Sequence, residues 1–389
     1  MPVQNNNSEP LDECNVNITT SLEKNGTKIS AKDEDIPSKQ IPVIHKYSSN
    51  EFQFSVESKH GYEIKSSFDE ALQGTWDAAK DKGAFNYLVD NVETKILPGK
   101  YNIVAQLNVR RATLRRKPEE ILSIIQPFNP DKFNFTKIKD EEILFNLKFE
   151  KENTNNKDKT KDVSAKRDLE GSVIINTAPI CYGHSLLLPH IKECRPQVLN
   201  KEGIELAIHT VLLSVSPSLR VGFNSLCAYA SVNHYHFHMY YLPFQMYNET
   251  AECERLCGPC FIFKDFYSKC LVFQLENNDV SSLACSTLAY SREVLENIAY
   301  NKLFDRSSTY EKSQVLYDTV GVPLALPVES GAKSQGAFNP ALCELSGHVP
   351  IFSEDHWSTV SEDDIVPVMQ ETSWATFNSV LPKIKQVFA

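Results

Sequence analysis

Between Ser231 and Pro243 the chain reads SVNHYHFHMYYLP, and two kinds of residue alternate through its middle. His234, His236 and His238 take one parity, and Tyr235, Phe237 and Met239 take the other. An extended strand sends alternate side chains to opposite faces, so this stretch calls for a sheet with one apolar face and one histidine face. Successive histidines on such a strand stand roughly 6.6 Å apart. Three of the chain's 10 histidines sit in this row, a concentration that a solvated strand face does not explain.

A chain of 389 residues can bury two cores, or one large core with an internal duplication. Residues 1–42 are polar and nearly free of aromatics, and are expected to form a disordered tail. A second polar stretch, residues 150–171, separates the strand-like runs EILFNLKF and SVIINTAPI and reads as a long mobile loop. In SSFDEALQGTWDAAKDKG, Phe68, Ala71, Leu72, Trp76 and Ala79 share a helical face, with Ser67 as N-cap and Gly83 as the stop. KEGIELAIHTVLLSV (201–215) repeats apolar residues with the same period. LRVGFNSLCAYAS, FIFKDF and KCLVFQLE read as strands, and SREVLENIAYNKLF (291–304) reads as a helix with Val294, Leu295, Ile298 and Leu303 inward. This mixture, without a regular βαβ alternation, predicts an α+β fold.

The formal charge of −10 argues against a general nucleic-acid-binding surface. The start, MPVQNNNSEPLDEC, has neither the basic nor the apolar region of a secretory signal, and no apolar run is long enough for a membrane-spanning helix. The 10 cysteines are scattered and read as reduced thiols, which makes the cytoplasm the expected location.

Two chemistries suit the histidine row. The H-x-H spacing is familiar from strand-borne zinc sites, but it needs a further ligand. Asp265 and the thiols Cys253, Cys257 and Cys260 of CERLCGPC are the nearest candidates, and their spacing lacks the second pair of a zinc ribbon. Alternatively, the central histidine is a nucleophile that forms a phosphoramidate while its neighbours hold phosphate oxygens. Spacing alone leaves both open.

Upstream, SVIINTAPICYGHSLLLPHI carries N-x-x-P-x-x-x-G-H-x-L-x-x-P. With the histidine row it resembles the histidine-triad superfamily of nucleotide hydrolases and transferases. QLNVRRATLRRKP (106–118), QPFNPDKFNFTKI (126–138), VGFNSLCAYASVNHYHFH (221–238) and NPALCELSGH (339–348) are similar to blocks of one branch, the GDP-hexose phosphorylases. His238 is Gln in the plant members, so its presence points to the animal type.

The resemblance implies a histidine-triad-like fold with a central antiparallel sheet flanked by helices. It also implies a catalytic half at 43–260 and a degenerate second half at 261–389 that ends in a helix. It implies that His236 attacks the α-phosphorus of GDP-D-glucose, that inorganic phosphate takes the guanylyl group, and that no metal or other cofactor takes part. His234, His238 and Ser231 would contact the phosphate, Asn176 the ribose and Asn224 the nucleotide, with Gly183 and His184 shaping the start of a strand. From the basic run Arg110, Arg111, Arg115, Arg116 and Lys117, the motif singles out Arg110 and Arg116 for phosphate contacts. Asn134 and Lys137 of the strand-like KFNFTKI would meet base or phosphate, Phe133 and Phe135 belonging to the core. Glu344 and His348 would complete the site from the second half. The expected partners are GDP-D-glucose and phosphate, with no nucleic acid and no membrane. The alternatives are a hydrolase of the same superfamily that releases GMP, and a metal-dependent enzyme using the H-x-H pair.

Overall fold

The computed structural model describes residues 42–54, 65–90, 92–117, 119–151, 168–275, 277, 279–293, 301–304 and 341–387. Residues 1–41 of the expected tail, 152–167 of the expected loop, and Val294, Leu295 and Ile298 lie outside the described residues.

A seven-stranded sheet runs in the order β1 (Ile44–Tyr47), β4 (Ile143–Phe149), β5 (Glu170–Ile175), β6 (Ser185–Pro189), β8 (Phe237–Tyr241), β7 (Leu219–Asn224) and β12 (Asn301–Phe304). Its β1–β4 pair is parallel and its other pairs are antiparallel. Two three-stranded sheets accompany it: β2 (Thr94–Ile96), β3 (Val104–Leu107) and β13 (His348–Ile351), and β9 (Cys253–Cys257), β10 (Cys260–Phe263) and β11 (Leu271–Phe273). The helices are α1 (Ser67–Asp81), α2 (Val109–Leu114), α3 (Lys201–Leu213), α4 (Val280–Glu293), α5 (Leu342–Ser346), α6 (Glu354–Thr359) and α7 (Glu362–Val387). The fold is α+β, as the segregation of strand and helix patterns predicts.

Parity along the central strands sorts the core into two faces. Val173, Leu187, Phe237 and Met239 join one large cluster with Phe68, Leu72 and Trp76 of α1 and Ile204, Ala207, Val211 and Leu212 of α3. Burying each valine, leucine, isoleucine, phenylalanine or methionine among them stabilises the fold by about 1.5–3 kcal/mol. Ile174, Leu186 and Leu188 point the other way and pack with Phe135 and Val232. The two faces have different neighbours because one receives the long amphipathic helices and the other receives loops.

Local readings shift in three places. The N-cap of α1 is Ser66, not Ser67: the Ser66 hydroxyl accepts the Asp69 N–H at 3.1 Å, and the Asp69 carboxylate reaches back. Asn301–Phe304 is the edge strand β12, paired antiparallel with β7, although its apolar residues fit a helical period. Pairing with β7 outweighs that short periodicity. KFNFTKI forms a 3-10 turn at Phe135–Lys137 instead of a strand, because the Asn134 side chain accepts the Thr136 N–H at 3.1 Å and caps it.

The described residues between 42 and 387 belong to one compact unit. The boundary expected at 260/261 runs through β10, while β12 extends the central sheet and β13 pairs in parallel with β3. Gly222 of β7 makes room for α5: a Cβ there would lie 1.9 Å from a Leu342 methyl. The later segment is thus seated directly against the histidine face.

Candidate active site

His238 lies in β8, but His234 and His236 precede the strand, so the row is not the single strand that its alternation suggests. The approach to β8 is held by other partners. The Tyr235 N–H donates to the Arg195 carbonyl at 2.9 Å, and the His236 N–H donates to Gln197 Oε1 at 2.8 Å. Gln197 Nε2 donates to the His236 carbonyl at 3.0 Å and to the Asn224 carbonyl at 2.9 Å. A buried glutamine thus stands in for a neighbouring strand. Tyr235, Phe237 and Met239 are fully buried on the helix side, as alternation predicts.

Hydrogen bonds fix the state of each ring. His236 Nδ1 lies 2.7 Å from the His234 carbonyl oxygen. A carbonyl only accepts, so Nδ1 carries the proton and Nε2 keeps its lone pair. Burial lowers the His236 pKa to about 4, and the ring is neutral at pH 7. His234 Nδ1 accepts the Phe135 N–H at 3.0 Å, leaving Nε2–H to donate to the Ile191 carbonyl at 3.1 Å. Both of its nitrogens are engaged, and the ring clamps two loops. His184 Nδ1 accepts the Ile180 N–H at 2.9 Å, so its Nε2 carries the proton and donates to His238 Nδ1 at 3.1 Å, with the Asn176 side-chain amide 3.2 Å from the same nitrogen. His238 is therefore left with a proton on Nε2. Burial holds both His184 and His238 well below the usual imidazole range. Neighbouring rings, with centroids 5.2 Å apart, offer opposite functions: His236 a lone pair and His238 a proton.

His236 and His238 line a cleft together with Asn176, His184, Asn224 and Ser231. One end is apolar, formed by Phe133, Phe135, Ile138, Ile174, Leu186 and Val232, with Arg116 and Glu142 beside them. The Phe135 and His236 ring centroids are 5.1 Å apart, and the Arg116 guanidinium lies 3.0 Å from the Phe133 ring centre. The other end carries Arg111, Arg115, Tyr229, Cys343 and Glu344. Burial pushes the Glu344 carboxyl up to about 7, and the Cys343 thiol lies 2.9 Å from it. A neutral imidazole lone pair, an imidazole N–H and the Arg111 and Arg115 guanidiniums suit displacement at a phosphoryl group.

The other expected residues separate clearly. Asn108 caps α2 by accepting the Arg111 N–H at 3.2 Å, and the Arg111 guanidinium donates to the Ala178 carbonyl. Arg111 and Arg115, one turn apart, reach the cleft, whereas Arg110 is exposed and does not line it. The cap and the four-residue spacing were visible in the sequence. Asn176 Oδ1 accepts the Ala178 N–H at 3.1 Å, and Asn224 Oδ1 accepts the Leu342 N–H at 3.1 Å, tying α5 to β7. Asn134 caps its own turn, and Lys137 Nζ donates to the Pro130 and Lys132 carbonyls at 2.6 and 2.7 Å; neither lines the cleft. Gly183 has a φ of +70°, and a Cβ there would sit 2.6 Å from the Tyr241 ring. His348 is fully buried behind the cleft wall, its ring centroid 5.7 Å from that of Tyr240. No sequence pattern pointed to Glu142, Tyr229 or Cys343.

The metal alternative finds no matching geometry. His234 has both ring nitrogens bonded to backbone, and a bulge in the β9–β10 hairpin turns Cys253 to the face opposite Cys257 and Cys260. Among the described residues, no three His, Cys, Asp or Glu side chains converge on a common ion position.

Residues 67–240 match the family model described as GDPGP1-like, N-terminal domain. GDP-D-glucose phosphorylase 1 of Xenopus laevis is 33% identical over 377 residues, covering 87% of this chain and 94% of the relative. GDP-D-glucose phosphorylase 1 of Danio rerio is 39% identical over 319 residues, covering 79% and 87%. GDP-L-galactose phosphorylase 2 of Arabidopsis thaliana is 33% identical over 315 residues, covering 77% and 71%.

Proposed function

The chain belongs to the GDP-D-glucose phosphorylase family, and on that premise we propose that it cleaves GDP-D-glucose with inorganic phosphate to give GDP and D-glucose 1-phosphate. His236 Nε2 attacks the α-phosphorus. The bond to the bridging oxygen breaks, and D-glucose 1-phosphate leaves with the electron pair. The resulting guanylyl-imidazolium keeps its Nδ1 proton against the His234 carbonyl, which faces the developing positive charge. A phosphate oxygen then attacks the same phosphorus, the P–N bond breaks, and the neutral ring returns.

The observation that carries this reading is the His236 Nδ1–H bond to the His234 carbonyl, which leaves the lone pair on Nε2 of a cleft-lining ring. The His238 N–H and Ser231 contact phosphate oxygens, Asn176 and Asn224 hold the nucleoside, and His234 positions the loop. His238, together with the GDP-D-glucose phosphorylase 1 relatives that match most of the chain, supports D-glucose as the hexose. No metal enters the reaction, and neither nucleic acid nor membrane is a partner. We also assign the protein to the cytoplasm, on a histidine-triad-like fold whose second half is a degenerate copy of the first; its long, mostly antiparallel sheet supports that fold.

Incubation with GDP-D-glucose tests the function. GDP should form only when phosphate is present; GMP released regardless of phosphate would mean hydrolysis. His236→Asn should lower turnover by roughly 10⁵-fold or more and remove the guanylyl adduct seen by intact-protein mass spectrometry. An adduct surviving in that variant refutes the nucleophile.

A further inference from the structure

Two glutamates, Glu142 and Glu344, line the cleft, and their surroundings differ. Glu344 shares its end with Arg111 and Arg115, a polar setting for a hexose and for phosphate. Glu142 stands beside the wall of Phe133, Phe135, Ile138, Ile174, Leu186 and Val232. A flat nucleobase is the part of a sugar nucleotide that such a wall takes up, because its faces are apolar and its polar atoms lie on its rim.

We propose that Glu142 selects guanine by accepting hydrogen bonds from N1–H and the exocyclic N2 amine of the base. This rests on the GDP-hexose reading above. Glu142 ends a 3-10 turn (Asp140–Glu142) that holds it in place: its N–H donates to the Lys139 carbonyl at 3.0 Å, and its Oε1 accepts the Lys139 N–H at 3.1 Å. A carboxylate fixed in this way needs no reordering when the base arrives. Guanine presents two adjacent donors on that edge and matches two carboxylate oxygens. Adenine presents the N1 lone pair there, which a carboxylate repels.

Arg116 supplies the complement. Its guanidinium lies on the Phe133 ring and senses the Glu142 charge. Guanidinium donors pair with guanine O6 and N7, an edge that adenine shows with a donor in place of O6. The structure thus gives Arg116 to the base, while Arg111 and Arg115 remain for phosphate.

The test compares kcat/KM for GDP-, IDP- and ADP-D-glucose in the wild-type protein and in Glu142→Gln. Hypoxanthine keeps N1–H and O6 and lacks the N2 amine. The wild type should prefer GDP- over IDP-D-glucose by about 10- to 100-fold, the range for one hydrogen bond to a charged group, and should discriminate further against ADP-D-glucose. In Glu142→Gln the GDP/IDP preference should fall to within about threefold, since the amide offers one acceptor and one donor. Equal use of GDP- and IDP-D-glucose by the wild type overturns the proposal without any variant. An unchanged ratio in Glu142→Gln also overturns it, and a merely structural role predicts that unchanged ratio. Absence of phosphorolysis of GDP-D-glucose by the wild type would instead remove the functional reading, and this inference with it.

Discussion

Gln197 and the backbone of His236 close a ring of two hydrogen bonds, 2.8 Å to the N–H and 3.0 Å from the carbonyl. Gln197 is 1% exposed and also serves the Asn224 carbonyl, so one side chain registers the histidine approach against β7. Gln197→Leu keeps the volume and strands three buried backbone groups. Stability should fall by about 2–4 kcal/mol in urea unfolding. Turnover of the folded fraction should fall more than tenfold, since His236 is the proposed nucleophile and a shift of about 1 Å in its placement is costly.

The His184–His238 contact yields a second prediction. His184→Phe removes the donor that holds His238 Nδ1 as an acceptor, freeing His238 to place its proton on either nitrogen. Loss of the orienting partner of a metal-bound histidine costs about 10- to 100-fold, and a loss of the same order is expected for this orienting contact. The loss should appear in kcat with KM little changed, read from initial rates.

The basic run gives a direct contrast within a few residues. Arg111→Ala and Arg115→Ala should each lower kcat/KM by about 100-fold, because each leaves a cleft anion without a charge-assisted partner. Arg110→Ala should stay within about twofold, since that side chain is exposed and off the cleft. A large effect at Arg110 would contradict this geometry.

Acid should weaken both fold and activity. Burial lowers His234, His236 and His209 to about 4 and His348 to about 3, against an ordinary 6.5. The folded state therefore binds fewer protons than the unfolded chain between these values. The stability from keeping these rings neutral is fully present above pH 6.5 and is lost as pH falls through about 4. Thermal unfolding between pH 4 and 7 measures it. Glu344, raised to about 7, has the opposite sign and costs stability as pH rises from 4.5 to 7. It should also give kcat/KM for GDP-D-glucose an inflection near pH 7 that Glu344→Gln abolishes. That parameter reports the first half-reaction, so the ionisation of free phosphate does not enter it.

The sequence carried the α+β class, the buried face of α1 and α3, and the inward parity of Tyr235, Phe237 and Met239, because each rests on a period that one element completes alone. What it hid depends on distant partners. The histidine approach looked like a strand because alternation also suits an extended segment bonded by a glutamine side chain. Asn301–Phe304 looked helical because nothing local reveals the edge of β7. Arg110 stood out over Arg111 because a motif ranks positions without the capped turn that aims them. Glu142 was silent because an acidic residue before a strand is ordinary until Phe133, Phe135 and Ile174 gather around it.

β3 and β13 pair in parallel with Val104 opposite His348. Parallel strands so far apart in sequence are joined by nearly the whole intervening chain, and such contacts form slowly and late. During synthesis, α1, β4 to β8 and the histidine row leave the ribosome well before Glu344 exists. The early chain can therefore shape the Phe133 and Phe135 wall of the cleft before the Glu344 segment is present. A chain cut before residue 341 would keep His236 and lose Cys343 and Glu344 from its cleft, and its turnover of GDP-D-glucose should fall.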